Sequence, residues 1–341
     1  MRTGHVETGS SGLFADPEPT FQPGAPKGVS FDRIVLAKGS ATTSERLALA
    51  QAICAAFPRA EVREQFGVPH NRIAFADGDD LHLHLAGKRT LVLGEHLTAL
   101  RQSEEAGNAC PNYWHFSPYG FCPYRCHYCY LAGTPGVRFS PSVKVFLNLP
   151  EIMGSLDRRA RSLGRPTAFY LGKLQDGLAL DPLTGYSRSL VPFFADHPYA
   201  RMTLLTKAAD VSNLLGLRHN GHTILSWTIN PPEVQETFEP GAPDVSQRIR
   251  AMRQCAAAGY PIRAVVMPIV PVPDWPDVYE RLLDALLEEV PLERITLGSI
   301  CIYRSALARM ERKIGRGNSI SSSLVRNREP RGDGRLRFAV E

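Results

Sequence analysis

Three cysteines stand close together in the segment FSPYGFCPYRCHYCYLAG, where Cys122, Cys126 and Cys129 make a C-x3-C-x2-C spacing. A loop this short and irregular lets three thiolates converge on one inorganic centre. Zinc takes four ligands; the chain has no second CxxC pair, although His115 and His127 could complete a site. A cubane iron–sulfur cluster has four irons, so three cysteines leave one iron without a protein ligand. That open iron can chelate the amino and carboxylate groups of S-adenosylmethionine (SAM), whose sulfonium then accepts an electron from the reduced cluster.

The chain has seven cysteines and begins with the polar stretch MRTGHVETGSSG, which has no apolar signal core. An odd count without a secretion signal argues against a disulfide framework. Cys54, Cys255 and Cys301 lie in the apolar runs LALAQAICAAF, IRAMRQCAAAG and LGSICIY and read as small buried hydrophobes. Tyr128 and Tyr130 interleave with the clustered cysteines. They could wall an adenine ring or pack behind the loop.

A second group of polar residues stands at or just past the ends of apolar, strand-like runs. Lys173 follows TAFYLG, Lys207 follows ARMTLLT, Asn230 closes HTILSWTIN and Arg304 follows RITLGSICIY. A lysine among apolar neighbours is costly to bury, so several such ends point to one shared polar rim. His82 and His84 alternate with Leu81, Leu83 and Leu85. They read as the polar face of a strand, or as a metal pair if a third ligand joins them.

The elements that must carry these residues alternate regularly from Asn112 onward. Strand-like NYWHFSP and the four runs above, with PIRAVVMPIVP, are separated by helical stretches: LPEIMGSLDRRARSL, YSRSLVPFFADH, ADVSNLLGLRH, DVSQRIRAMRQCAAAG and WPDVYERLLDALLEEV. Asp210 and Asp244 fit N-caps, and Gly259 fits a C-terminal stop. Apolar strands in such repeats imply a parallel sheet covered by helices, open or curled, with the ligand site at the carboxyl ends. Upstream, FDRIVLA, SERLALAQAICAAF and LHLHLAGKRTLVLG suggest a smaller α/β unit. Residues 1–28 read as an arm, and the stretch after Arg304 as a basic, weakly patterned tail. A net charge of +5 is a mild excess, and no apolar run reaches transmembrane length. A cytoplasmic enzyme without a membrane partner is the expectation.

The cysteine spacing resembles that of the radical SAM superfamily. Longer phrases are more specific: CPYRCHYCYL, LLTKAADVSNLLGLRHNGHT, SWTINPPEVQETFEPGAPDVSQRI and AAAGYPIRAVVMPI resemble the spore photoproduct lyase family from about Phe31 to Arg304. The resemblance implies an α/β fold, with a small N-terminal α/β domain at 29–110, a partial (β/α)6 barrel at 111–305 and a tail at 306–341. It implies a [4Fe–4S] cluster on Cys122, Cys126 and Cys129, with SAM lined by Tyr128, Tyr130, Asp176, Lys207, Thr228 and Asn230. A reducing partner such as flavodoxin or ferredoxin would supply electrons.

Two features depart from that family. Its hydrogen-returning cysteine aligns with Lys173, and the tail beyond Arg304 does not match the family's DNA-engaging hairpin. The expected activity is hydrogen abstraction from a base, nucleoside or pyrimidine-dimer substrate, including repair of a DNA photoproduct. Lys173 and Arg304 would grip an anion, and Cys301 is the alternative thiol. A biosynthetic enzyme acting on a small polar metabolite, or a non-catalytic iron–sulfur or zinc protein that binds nucleic acid, are the competing readings.

Overall fold

The computed structural model describes residues 21–75, 77–103, 113–172, 175–324 and 335–337. Two sheets divide the chain. The first contains the apolar strand β1 (Arg33–Leu36), which pairs in parallel with β2 (Glu61–Glu64) at the edge and with the central β3 (Thr90–Gly94). Parallel neighbours need crossovers, and these are α1 (Ser44–Ala55) and α2 (Asp80–Lys88).

Helix α2 corrects the strand expected over LHLHLAGK. Asp79 caps it by accepting from the His82 N–H at 2.9 Å. Its buried face is His84, Gly87 and Lys88, which have helical spacing, while Leu85 is 42% exposed. The leucine–histidine alternation therefore imitated a strand without setting the buried face.

The second sheet has the order β12-β11-β10-β9-β8-β5-β4 and stays open between its two edges. Its strands are β4 (Leu100–Ser103), β5 (Tyr113–Phe116), β8 (Thr167–Leu171), β9 (Ala200–Thr206), β10 (Thr223–Thr228), β11 (Ile262–Val266) and β12 (Leu292–Leu297). All pairs are parallel except β4 with β5. Between β5 and β8 the chain returns to the first sheet through β6 (Tyr119–Gly120) and β7 (Val143–Phe146), which are joined through a 3-10 turn and the short α3 (Pro135–Phe139). The sheets thus exchange strands across residue 110: β4 precedes it but joins the second sheet, while β6 and β7 follow it and join the first. The main apolar core is correspondingly continuous, running from Phe31 and Ile34 through Phe116, Val143 and Trp227 to Ile320.

Covering helices form where apolar residues recur on one face. In α4 (Leu149–Leu163) the buried set is Leu149, Ile152, Met153, Leu156 and Ala160. The short α5 (Asp181–Thr184) leads into α6 (Tyr186–Asp196), which buries Leu190, Val191 and Phe194. Pro232 opens α7 (Pro232–Phe238). Asp244 begins α8 (Val245–Ala257) with a reciprocal capping box to Gln247, and Gly259 follows its end as expected. In α9 (Trp275–Glu289), Val278, Tyr279, Leu282 and Leu286 face inward.

Three further expectations change. ADVSNLLGLRH forms turns, because the Asp210 carboxylate accepts from the Ser212 N–H at 3.1 Å and closes a local turn rather than capping a helix. RITLGSICIY breaks at Gly298, where an added Cβ would lie 2.5 Å from Met267 Sδ. The chain then leaves the sheet as β13 (Cys301–Tyr303), so Cys301 and Arg304 do not sit at the end of the sixth barrel strand.

The tail is also more ordered than its composition suggests. It folds as α10 (Arg304–Ile314) and α11 (Ser319–Leu324), and β14 (Arg335–Arg337) pairs antiparallel with β13. Ala306, Met310, Ile320 and Leu324 anchor it in the core, and Arg309 turns inward to an ion pair with Asp80. At the other end, residues 1–20 of the expected arm lie outside the described residues, while the Gly24 N–H donates to Pro182 O at 2.8 Å. Among the described residues no helix is long and apolar enough to cross a membrane.

Candidate cluster and substrate site

The cysteine loop runs from β6 to the 3-10 turn at Tyr130–Gly133 and is fastened on two sides. From the first sheet, Lys88 Nζ donates to the carbonyls of Cys122 at 2.5 Å and Tyr124 at 2.7 Å. From the second, Pro240 O accepts from Arg125 N at 3.1 Å and Phe238 O accepts from His127 N at 2.7 Å. Gly241 follows at φ +82, a left-handed backbone that glycine adopts without strain as the chain turns away from the loop. Two phrases that carry the family resemblance are therefore bonded to each other through their backbones.

Cys122, Cys126 and Cys129 are free, partly buried thiols. Burial pushes the Cys122 thiol far up and that of Cys126 to about 12, while Lys88 and Lys207 respectively pull the other way. Thiols in such a site ionise against a strongly attracting metal centre, so this all-sulfur donor set fits an iron–sulfur cluster. Among the described residues no three His, Cys, Asp or Glu side chains gather tightly enough for a single ion. Cysteines of a cubane bind different irons and need no such gathering.

Beside the loop lies a buried polar network. Glu239 and Arg248 are both 0% exposed, and Arg248 Nη2 lies 2.5 Å from Glu239 Oε2. Tyr128 OH donates to Glu239 Oε1; Asn230 Nδ2 lies 3.2 Å from both the Tyr128 hydroxyl and that carboxylate oxygen. Tyr279 OH donates to Asn230 Oδ1 at 3.1 Å, and Arg248 Nη1 donates to Thr228 O at 3.2 Å. Lys207 Nζ approaches Glu239 Oε1 at 3.8 Å and the Tyr128 ring at 5.7 Å. Burial pushes the Glu239 carboxyl up, but Lys207 and Arg248, with the Tyr128 hydrogen bond, overcome it and hold the group below its usual value.

Lys207, Thr228 and Asn230, at or beyond strand ends, thus gather with Tyr128 of the cysteine loop; of the expected rim, Lys207 and Asn230 meet here and Arg304 does not. Asp176 is nearby, but its oxygens are already engaged. Oδ1 accepts from Leu178 N, Ala179 N and Thr206 Oγ1 at 3.0, 2.9 and 2.6 Å, and Oδ2 accepts from Lys207 N at 2.7 Å. Its structural effect is to fix the β8 and β9 ends and hence the root of Lys207.

Tyr130 is 37% exposed and stacks on Tyr303 at 6.5 Å with an 18° interplanar angle. Gly133 permits that closeness, because a Cβ there would fall 2.3 Å from Tyr303 Cβ. Burial, then Tyr113, Cys129 and Cys301, push the Tyr130 phenol upward, which places the Cys301 thiol in its neighbourhood. Arg304 is exposed at the start of α10. Lys173 lies outside the described residues. Glu239, Arg248 and Lys88 were not among the expected site residues; a readable signal was Arg248 at a helix position flanked by the buried Val245, Ile249 and Met252.

The described family model for Spore photoproduct lyase matches residues 41–319. Two relatives named spore photoproduct lyase align well. One from Geobacillus sp. (strain Y412MC61) is 31% identical over 69% of this chain and 68% of its own length. One from Bacillus subtilis (strain 168) is 29% identical over 68% of this chain, and the match spans 66% of that protein, just under two thirds. A solved spore photoproduct lyase variant with bound AdoMet and dinucleoside spore photoproduct superposes with a TM-score of 0.78 at 24% identity, covering 92% of each chain. This likeness establishes the α/β partial-barrel fold. With the family match extending across the cysteine loop and the Glu239 network alike, the chain belongs to the spore photoproduct lyase family.

Proposed function

We propose that this chain is a radical SAM lyase acting on a thymine photoproduct in DNA, with Cys122, Cys126 and Cys129 as ligands of a [4Fe–4S] cluster. When bound, the cluster and SAM supply an electron and a 5′-deoxyadenosyl radical capable of abstracting hydrogen. The observation carrying this reading is the backbone union of the cysteine loop with Phe238 and Pro240, beside Tyr128 and Lys207. Lys207 offers an ammonium to the SAM carboxylate, and Thr228 and Asn230 border the same floor. Tyr130, with its exposed ring, faces the adenine or substrate side. Lys173 is assigned to anion gripping, and a flavodoxin or ferredoxin to electron supply; Arg304, away from the strand-end rim, is left out of that role.

The test is anaerobic reconstitution followed by assay of 5′-deoxyadenosine, with and without DNA containing the dinucleoside photoproduct. SAM cleavage and restored thymines are expected. In Cys122→Ala, Cys126→Ala and Cys129→Ala proteins, bound iron and SAM cleavage should both disappear. Iron binding and cleavage retained by all three variants would sink the ligand assignment; cleavage without thymine recovery would sink the substrate.

A further inference from the structure

Lys88 is 4% exposed, yet among the described residues its ammonium has no carboxylate within ion-pair distance. Its contacts are two carbonyls of the cysteine loop and the face of Phe121, whose centroid is 3.6 Å from Nζ. Phe121 itself holds a left-handed backbone at φ +55, and its side chain is 2% exposed. Such a conformation is costly for an aromatic residue. The surroundings must therefore hold it.

A second cation approaches the same loop from the opposite end of the chain. Helix α10, which carries the half-buried Lys313, packs against the 3-10 turn that closes the cysteine loop; burial, then the charge of Lys88, lowers the Lys313 ammonium to about 8. Two ion pairs fasten α10 to the start of α2, Arg309 to Asp80 and Arg312 to Asp79. Neither lysine belongs to the predicted SAM-contacting set. Lys88 bonds the loop backbone directly, and Lys313 stands on the helix packed against the loop's end.

A buried ammonium with no carboxylate partner among the described residues, with a second, half-buried one on a neighbouring helix, calls for an anion nearby. A cubane carried by three thiolates is net anionic, and it becomes more so on gaining an electron. Lys88 already holds the backbone carbonyl of the ligand residue Cys122. We propose that Lys88 and Lys313, delivered by α2 and α10, form a cationic clamp that fixes the cluster loop and stabilises the cluster after one-electron reduction. Lys88 contributes hydrogen bonds and charge; Lys313 contributes charge alone. Neither is a catalytic residue, since both act through the cluster and its loop.

This inference rests on the proposed cluster. Wild-type protein and the Lys88→Met and Lys313→Met variants are reconstituted anaerobically and compared by melting temperature, iron release to a chelator and dithionite-referenced midpoint potential. Lys88→Met should release iron about tenfold faster, the scale seen when partners outside a metal's ligand set are removed, and its midpoint should become more negative. Lys313→Met should keep iron at the wild-type rate but also shift the midpoint negative. An unchanged midpoint in folded Lys313→Met overturns the clamp, as does wild-type iron release in folded Lys88→Met. If Lys88→Met does not fold, Lys88→Arg replaces it for iron release: the broader guanidinium cannot occupy the same pair of carbonyls over Phe121, so faster release is expected and an unchanged rate overturns the clamp. Failure of wild-type protein to bind iron would instead defeat the underlying cluster reading.

Discussion

Glu239 and Arg248 form an ion pair with no solvent exposure, nine residues apart in sequence and 2.5 Å apart between Oε2 and Nη2. Removing one partner leaves the other charge buried, a loss of about 3–5 kcal/mol. Arg248→Met and Glu239→Gln should each lower chemical stability on that scale, and the double variant by less than the sum. Additive losses in a double-mutant cycle would show the pair is not coupled.

The same carboxylate gives an acid limit. Its folded-state value lies below the ordinary 4.5, so the stabilisation is complete above about that pH and disappears as pH falls through the folded value. Three histidines, His84 buried and His70 and His96 half-buried, add a loss at higher pH. Burial lowers His70 and His96 from 6.5 to about 4, and His84 to about 2. Each is neutral in the fold, and protonation favours the unfolded chain, so stability present above pH 6.5 falls as pH drops toward 4. Urea midpoints between pH 7 and 4 should decline, and less steeply in a His70→Gln, His96→Gln protein. Equal slopes would assign the decline to carboxylates.

Asp176 and Lys207 should separate by phenotype. Asp176→Ala strands the N–H groups of Leu178, Ala179 and Lys207 and the Thr206 hydroxyl, at a cost of roughly 3 kcal/mol in stability. Lys207→Ala should leave iron content near normal and weaken SAM binding. Equilibrium dialysis with labelled SAM decides it; unchanged affinity in a folded Lys207→Ala protein would give this lysine a purely structural place beside Glu239.

What could be read in advance depended on how local each signal is. Cys122, Cys126 and Cys129 share one loop, so their spacing carried the chemistry, and the strands ending near Lys207 and Asn230 followed from apolar runs. Glu239 could not be read that way, because its partner Tyr128 is 111 residues distant. Lys88 was hidden by the leucine–histidine alternation that disguised α2. The exchange of β4 for β6 and β7 between sheets left no local trace, since strand pairing is decided by distant partners. The fold beyond Arg304 was masked by basic residues, some of which, such as Arg309, bind inward rather than to solvent.

The source of the final hydrogen atom remains the sharpest distinction within the family for this chain. If Lys173 stands where the family's thiol does, as the sequence resemblance implies, its strong N–H bonds would suit it to gripping an anion or carrying a proton rather than to donating a hydrogen atom. Cys301 is partly buried on β13, the strand whose Tyr303 stacks on Tyr130. A thiol on the strand that packs against Tyr130 is the alternative hydrogen donor to test. With photoproduct DNA, Cys301→Ala should therefore keep SAM cleavage but divert the substrate into side products, whereas Lys173→Ala should raise the substrate KM and leave the product pattern intact. Product analysis by mass spectrometry in deuterated water provides a second readout, because an exchangeable thiol delivers deuterium to the repaired thymine. Clean thymine without deuterium from wild-type and Cys301→Ala proteins alike would exclude Cys301 and leave 5′-deoxyadenosine itself as the hydrogen source.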